Sequence, residues 1–423
     1  MRLWRVLSLF LVLMLTAGKV FAAGFRLPEA GAKAMGMGFA FVAQADDPSA
    51  IYFNPAGLTQ LEGYNFMAGA TYVSQPGSKF SGITPLTGGQ HETERQKALT
   101  YLIPNMYFTS MNKENGIAWG VGVFVPYGLG QQYKSWSDSI FRNQTVKIEL
   151  MTFVLNPTIA YKVNEYFSIG AGINYMHGRA NLGQTPVLAP LGNLYNLELD
   201  GSDDAWGYNM GILIKPTQNL RIGVSYRSAF ELKIKNGDVT IRNLNPYYNT
   251  GLLGAAPSNM TGSATVNMPA TFAIGVAYTI DRLTLEANAD WTLWSKYKKL
   301  PISFSNQVPT LTNQDLEKNW KDVCALRFGM QYQVTDPLAL RAGVVYDPSP
   351  VPKETMGPEL PDSYRMNYMI GAGYKVGSWT IDTAFMYIDK SNRTVNNMSG
   401  NTGFNGTWTG NAWLAGLDIS YRF

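Results

Sequence analysis

Residues 206–216 read WGYNMGILIKP, and they decide between a water-soluble fold and a membrane one. Trp206, Tyr208, Met210, Ile212 and Ile214 alternate with Gly207, Asn209 and Gly211. Successive side chains of a strand point to opposite faces, so one face here is large and apolar while the other is small and polar. The pattern repeats in LRIGVSYRS (220–228), where Leu220, Ile222, Val224 and Tyr226 alternate with Arg221, Gly223, Ser225 and Arg227. In LTLEANADWTLW (283–294) Leu283, Leu285, Ala287, Ala289, Trp291 and Leu293 stand opposite Glu286, Asn288 and Asp290. LALRAGVVYD (338–347) sets Leu338, Leu340, Ala342, Val344 and Tyr346 against Arg341 and Asp347. A β-sandwich also alternates, but it does not need this many strands with aromatics at their ends. A transmembrane barrel does: lipid outside, a polar lumen inside, aromatic girdles at both interfaces and no free edge.

Turn spacing gives the strand number. Tight connections fall at Asn112–Gly116, Asn164–Glu165, Thr217–Asn219, Asp281–Arg282, Thr335–Pro337 and Gly377–Ser378. Longer polar segments lie around 75–95, 127–144, 181–203, 237–263, 305–318, 348–364 and 389–409. Six turns plus seven loops make thirteen connections, hence a 14-stranded antiparallel transmembrane β-barrel with short periplasmic turns and long extracellular loops. The closing AWLAGLDISYRF (412–423) alternates and ends in Phe423, in the manner of the signal read by the barrel assembly machinery.

Composition agrees. The 423 residues include 24 Tyr, 20 Phe, 10 Trp and 42 Gly, yet only 15% are charged, against about a quarter in soluble domains. After the N-terminus no run of eighteen uncharged apolar residues occurs, which argues against a helical membrane protein. A formal charge of +4 without a dense basic run gives no sign of nucleic-acid binding. Arg2, Arg5, the apolar run Leu7–Ala17 and Val20-Phe21-Ala22 form a signal peptide over residues 1–22. Cys324 is the single cysteine, so no intramolecular disulfide framework exists. With only His91 and His177 beside it, neither a metal site nor a Ser–His nucleophile can be built, and no catalytic residue, metal or cofactor is expected.

Residues 23–63 precede the first strand and are rich in small residues, with Gly31, Gly36 and Gly38 allowing close backbone packing. Within them IYFNPAGL (51–58) reads as a turn, since Asn54 can bond its own backbone and Pro55 removes a donor. A module of this size before a barrel is a periplasmic domain or a plug. The barrel is then 64–423.

AGFRL (23–27), ADDPSAIYFNPAGL (45–58), Ile103–Phe108, Ala118–Leu129, Tyr226–Val239, WSKYKKL (294–300), YDPSPVP with LPDSYR (346–365) and the closing strand together resemble the FadL-type outer-membrane transporters. That family carries long-chain fatty acids and related hydrophobic compounds, including aromatic hydrocarbons. The resemblance spans essentially the whole chain after the signal peptide. It implies that residues 23–63 are a hatch of short helices inside the barrel, with Asn54, Pro55 and Ala56 as its turn. It also implies an outer groove, a deeper apolar pocket with basic groups, and lateral exit where the third strand kinks. Here that strand is VGVFVPYGLG (121–130), in which Pro126 cannot donate to a ladder and Gly122 and Gly128 weaken pairing.

By the same resemblance Lys321 and Arg179 match the two basic ligand-side positions. Lys321 shares parity with Val323, Ala325 and Arg327, so it should point inward. Arg179 shares parity with Ile169, Ile173 and Tyr175, which should face lipid. Either a bulge at Gly178 turns it, or it is an interface residue. Arg227, Arg327, Arg341, Glu286 and Asp290 are expected to hold the hatch by lumenal ion pairs. Leu182, Val187, Leu188, Leu191, Leu194, Leu252 and Leu253 lie in long loops, where exposed leucines either bind something or pack together. The expected surroundings are a hydrophobic ligand (a fatty acid or an aromatic hydrocarbon), outer-membrane lipid and lipopolysaccharide around a monomer in a Gram-negative cell. The competing function is a general aqueous porin, which would have an open lumen.

Overall fold

The computed structural model describes residues 24–400 and 402–423; the expected signal peptide lies outside the described residues. Fourteen antiparallel strands close into a barrel. They are β1 (Gly63–Gln75), β2 (Leu99–Met111), β3 (Ile117–Phe124, resuming as Gly128–Gln132), β4 (Lys147–Lys162), β5 (Phe167–Gln184) and β6 (Asn196–Ile214). They continue as β7 (Leu220–Arg227 and Phe230–Arg242), β8 (Thr261–Met268 and Ala270–Ile280), β9 (Leu283–Leu293 and Lys299–Phe304) and β10 (Gln314–Glu317 and Val323–Gln333). The last four are β11 (Leu338–Asp347), β12 (Arg365–Val376), β13 (Trp379–Lys390) and β14 (Asn411–Arg422). Closure is by β1 on β14, from Asn65↔Arg422 to Ser74↔Trp413. All six short turns fall between strands where the sequence puts them.

Face assignment follows the alternation. Trp206, Tyr208, Met210 and Ile212 are exposed on the outside of β6, while Asn209 is buried inside. Aromatic pairs mark the two rims: Trp379 with Tyr421 (4.6 Å) and Phe108 with Trp119 (5.8 Å) on the turn side, Tyr175 with Trp206 (5.0 Å) and Tyr72 with Trp413 (5.5 Å) on the loop side. Among the described residues no helix is long and apolar enough to cross a membrane. The crossing is made by strands.

One expected loop, 181–203, is shorter than the sequence suggests. β5 runs to Gln184 and β6 starts at Asn196. A crossing needs about ten residues, yet β6 has nineteen. Its outer half, with β5, is a ribbon standing beyond the apolar band, where charged residues face outward and mimic a loop.

Residues 24–62 pack inside the lumen. Helices α1 (Ala32–Gly36) and α2 (Ala50–Phe53) and a 3-10 turn (Pro55–Gln60) are too short to stand alone, so barrel side chains hold them. The Glu286 carboxylate accepts from the Ala43 and Gln44 N–H groups at 2.8 and 2.7 Å. Asp418 accepts from Ala32 N–H, and Tyr107 Oη donates to the Ala30 carbonyl at 2.8 Å. Arg227 donates to the Tyr52 carbonyl at 3.1 Å and lies 5.0 Å from the centre of its ring. Arg327 pairs with Asp290 at 2.8 Å and lies 5.6 Å from the centre of the Phe39 ring. Arg341 pairs with Asp382 at 2.7 Å. The lumenal charges therefore hold the segment partly by ion pairs, as expected, and partly by capturing its backbone.

The turn itself is built by Asn54. Its Oδ1 accepts from Ala56 N–H at 3.1 Å, and its Nδ2 donates to the Val42 and Ile212 carbonyls at 2.8 and 3.0 Å. Pro55 opens the 3-10 turn and Ala56 is fully buried. A Cβ on Gly211 of β6 would come within 2.8 Å of Pro55 Cδ, so the small lumenal residue is what lets this turn reach the wall.

Outside, the strands Lys79–Ile83, Glu92–Arg95, Arg393–Asn396 and Asn405–Thr409 form a separate four-stranded sheet. It packs over Phe80, Phe141, Phe404 and Trp408.

Replacing Glu286 by Ala orphans two buried N–H donors, at about 1–3 kcal/mol each. Amide exchange at Ala43 and Gln44 should rise while the barrel keeps its heat-modifiable migration on gels. Unchanged exchange at both amides would remove Glu286 from the anchoring role.

Candidate ligand pocket and lateral window

A cavity of about 150 Å³ lies between the lumenal segment and the barrel wall. Val73, Ile103, Leu129, Met386, Ile388 and Leu414 line one side; Gly24 and Arg26–Glu29 line the other. Three cations from the wall line it: Arg327, which is paired with Asp290, and Arg365 and Lys390. Arg365 opens β12 and Lys390 closes β13, and they are direct cross-strand partners. Like charges placed directly opposite destabilise a sheet unless something neutralises them. Arg365 forms long ion pairs of 3.8 Å with Asp347 and Asp362, beyond hydrogen-bond reach, and its buried Nε makes no hydrogen bond. Lys390 makes no ion pair within 4.0 Å among the described residues.

Glu29 is the carboxylate that the lumenal segment brings to this cavity. It is buried, and its Oε2 has no hydrogen-bond partner. Burial raises its pKa to about 7, against the weaker opposing pull of Arg365 and Arg327. A neutral Glu29 leaves the wall cations without its charge.

The sequence expectations fare unevenly here. Lys321 does not line this cavity. It is exposed between the two parts of β10, its N–H donating to the Pro350 carbonyl at 3.0 Å. Strand parity starts again only at Val323, so the alternation that aims Arg327 inward does not reach it. Asp322, its neighbour, accepts instead from Ser295 N–H at 2.7 Å. Arg179 has no bulge to turn it: β5 pairs in unbroken register with β6 from Phe167 to Gln184. It stands on the outer face, 64% exposed, in a bidentate pair with Asp200 at 2.9 and 3.0 Å.

Of the basic residues that line the cavity, Arg327 is among the lumenal charges expected from the sequence, whereas Arg365 and Lys390 are not, although parity could have found them. Arg365 shares a face with Asn367 and Met369, Lys390 with Ile388 and Met386, and all four of these neighbours are buried. Both sit at strand ends, where alternation is shortest and least persuasive.

A second, shallower groove opens among the outer loops, lined by Ile148, Leu182, Leu197, Leu199, Leu300, Ile302, Phe304 and Leu316 and edged by Lys147, Lys318 and Glu359. Lys318 and Glu359 form an ion pair. Of the loop leucines, Leu182 lines this groove, whereas Leu194 and Leu253 are buried in a loop core with Tyr195, Tyr248, Met260 and Leu311.

The ladder is interrupted in several places, among them between Gly201–Tyr208 of β6 and β7 and, next to the cavity, between β2 and β3. β3 stops at Phe124 and resumes at Gly128, with Pro126 between. Below the break β3 pairs with β2 from Met111↔Ala118 up to Met106↔Val123. Above it, Gly128–Gln132 pairs only with β4, and Leu99–Asn105 of β2 pairs only with β1. Lys97 N–H donating to the Gln132 carbonyl (2.7 Å) closes the top of the window. Gly122 lies outside the break: its rung with Tyr107 is intact, and a Cβ there would sit 3.1 Å from Ile51 Cγ2 of α2. Its smallness admits the lumenal segment and does not weaken the strand. Gly128 borders the break directly, with Leu27 Cδ1 2.7 Å from where its Cβ would be.

With this geometry in view, comparison with known proteins gives a consistent result. A family model described as outer membrane protein transport protein (OMPP1/FadL/TodX) matches residues 13–423. The chain belongs to this family. It is 27% identical to the long-chain fatty acid transport protein of Escherichia coli O6:H1 over 98% of each chain. In three dimensions it resembles a Pseudomonas aeruginosa FadL homologue (TM-score 0.79, 22% identity, 95% of this chain and 100% of the other). It also resembles the Ralstonia pickettii toluene transporter TbuX (TM-score 0.69, 20% identity, 94% and 99%). This FadL/TodX-family barrel is thus an outer-membrane transport protein of Gram-negative type, not an enzyme.

The FadL/TodX-family hatch should respond to pH through Glu29. A carboxyl whose pKa is raised on folding, from 4.5 to about 7, favours the docked state below 4.5 and loses that advantage as pH climbs through 7. Protease sensitivity of residues 24–62 should therefore increase across that interval. Glu29→Gln should flatten part of the rise, and an identical profile in the variant would exclude Glu29 as its source.

Proposed function

We propose that this transporter takes up long-chain fatty acids, binding them in the cavity beside Arg365 and Lys390 and releasing them sideways through the β2–β3 window. The observation that carries this reading is a cavity with one aliphatic side and, beside it, the facing cations Arg365 and Lys390, of which Lys390 has no ion pair among the described residues and Arg365 only the long ones to Asp347 and Asp362. A fatty acid needs a dry surface for its chain and charged donors for its carboxylate, because an unpaired buried charge is costly. An uncharged hydrocarbon needs only the first. The outer groove would collect the ligand. The hatch turn Asn54, Pro55 and Ala56 would stay anchored while Phe25–Leu27, which border the break, move aside. A porin is the poorer reading, since residues 24–62 occupy the lumen.

Aromatic-hydrocarbon uptake is the alternative within the family, and the cations separate the two. In Arg365→Ala and Lys390→Ala, binding of oleate to the purified barrel should weaken about tenfold or more, the scale of a lost hydrogen bond to a charged group. Binding of octadecene should change little. Equal losses for both probes would point to a hydrocarbon channel, and steady large conductance of the intact protein would point to a porin.

A further inference from the structure

We propose that Tyr101 is the side-chain gate of the window and sets the cross-section of the molecules that leave through it. This rests on the lateral route above and adds what selects among ligands there.

Tyr101 lies on β2 with lumenal parity, in line with Ile103, Asn105 and Tyr107. It sits within the stretch Leu99–Asn105, which has no ladder partner on the β3 side. Across the gap are Gly128 and Gly130, on the same face of the resumed strand. The space that a side chain would take at each is filled from elsewhere. At Gly128 it is taken by Leu27 of the N-terminal segment. At Gly130 a Cβ would overlap the Oη and Cζ of Tyr101. The aromatic ring thus stands where the missing rungs would be.

The two fillers are held differently. Leu27 is fixed through the backbone, its N–H donating to the Pro126 carbonyl at 2.8 Å while Gly128 N–H donates to the Phe25 carbonyl at 3.0 Å. The Tyr101 hydroxyl makes no hydrogen bond among the described residues. Its ring can change rotamer without breaking one, on the fast timescale of a side chain that is not fully buried. Once the N-terminal segment leaves, Leu27 leaves with it. Tyr101 remains part of the wall, so the width of the open window is the width that this ring allows. An unbranched chain needs only a narrow slot, whereas a methyl-branched chain does not fit beside the ring.

The test is uptake of radiolabelled palmitate and methyl-branched phytanate by Gram-negative cells that lack their own such transporter and express the full chain. Tyr101→Ala should raise the phytanate-to-palmitate ratio about tenfold, the scale on which apolar sites discriminate size. Tyr101→Phe, which keeps the ring, should hold the original ratio. Gly130→Ala, which displaces the ring, should shift it in the direction of Tyr101→Ala. If Tyr101 merely packs the wall, both probes will fall together in Tyr101→Ala and the ratio will stay constant, which overturns the gate. A Leu102→Cys, Leu129→Cys pair in a Cys324→Ser background, bridged across the window by a bis-maleimide, separates this from failure of the route. Undiminished palmitate uptake after bridging overturns the lateral path itself.

Discussion

In a bilayer every backbone N–H and C=O must find a partner within the protein, because no water is there to supply one. Fourteen strands closed by β1 on β14 meet most of that demand, and the gap between β2 and β3 is one of the places where the ladder is interrupted. At the kink itself several of these groups find other partners. Pro126 has no N–H, and its carbonyl accepts from Leu27. The Thr152 hydroxyl of β4 serves both groups of Tyr127, accepting from its N–H at 3.2 Å and donating to its carbonyl at 2.6 Å. Gly128 N–H goes to Phe25. At the kink, side chains and the N-terminal segment take over part of what a neighbouring strand does elsewhere.

The same demand shapes the lumen. A barrel of this size has room that must hold water or chain, and residues 24–62 are the chain. Their backbone has little regular structure, so the wall supplies Glu286, Asp418, Asn209 and Arg227 as partners. Buried ion pairs contribute little net stability, yet breaking one is costly. Arg327–Asp290 and Arg341–Asp382 are therefore better understood as fixing where the segment sits than as cementing the barrel.

Much of this was legible in the sequence. Period-two alternation depends only on which face meets lipid, so strand number and all six turns follow from it. The reading weakened wherever that contrast fades. Beyond the apolar band the outer ribbon of β5 and β6 carries Arg179, Asp200 and Asp204 outward, and it reads as loop. Strand parity does not extend to Lys321, because residues 318–322 are not strand. Arg365 and Lys390 belong to one rung, but twenty-five positions separate them in the chain, and only the register of β12 with β13 brings them together. The meeting of Tyr101 with Gly130 has no local signature at all.

Cavity and window share one wall. Arg26 and Leu27 line the cavity, and the same two residues lie along the edge of β3, Arg26 bridged to Tyr127 and Leu27 bonded to Pro126. Arg26 also reaches the β9 wall, with Thr292 at 3.3 Å and Asp290 at 4.0 Å. The cavity and the residues that cap the break are thus in direct contact, with no relay through the barrel between them. Coupling over so short a path needs no long-range mechanism. Phe25–Leu27 are held by two backbone hydrogen bonds, by the Tyr52 hydroxyl on the Leu27 carbonyl and by Phe25 buried among Tyr127, Trp294, Tyr297 and Trp320, and a ligand that displaces them would have to offset all of these.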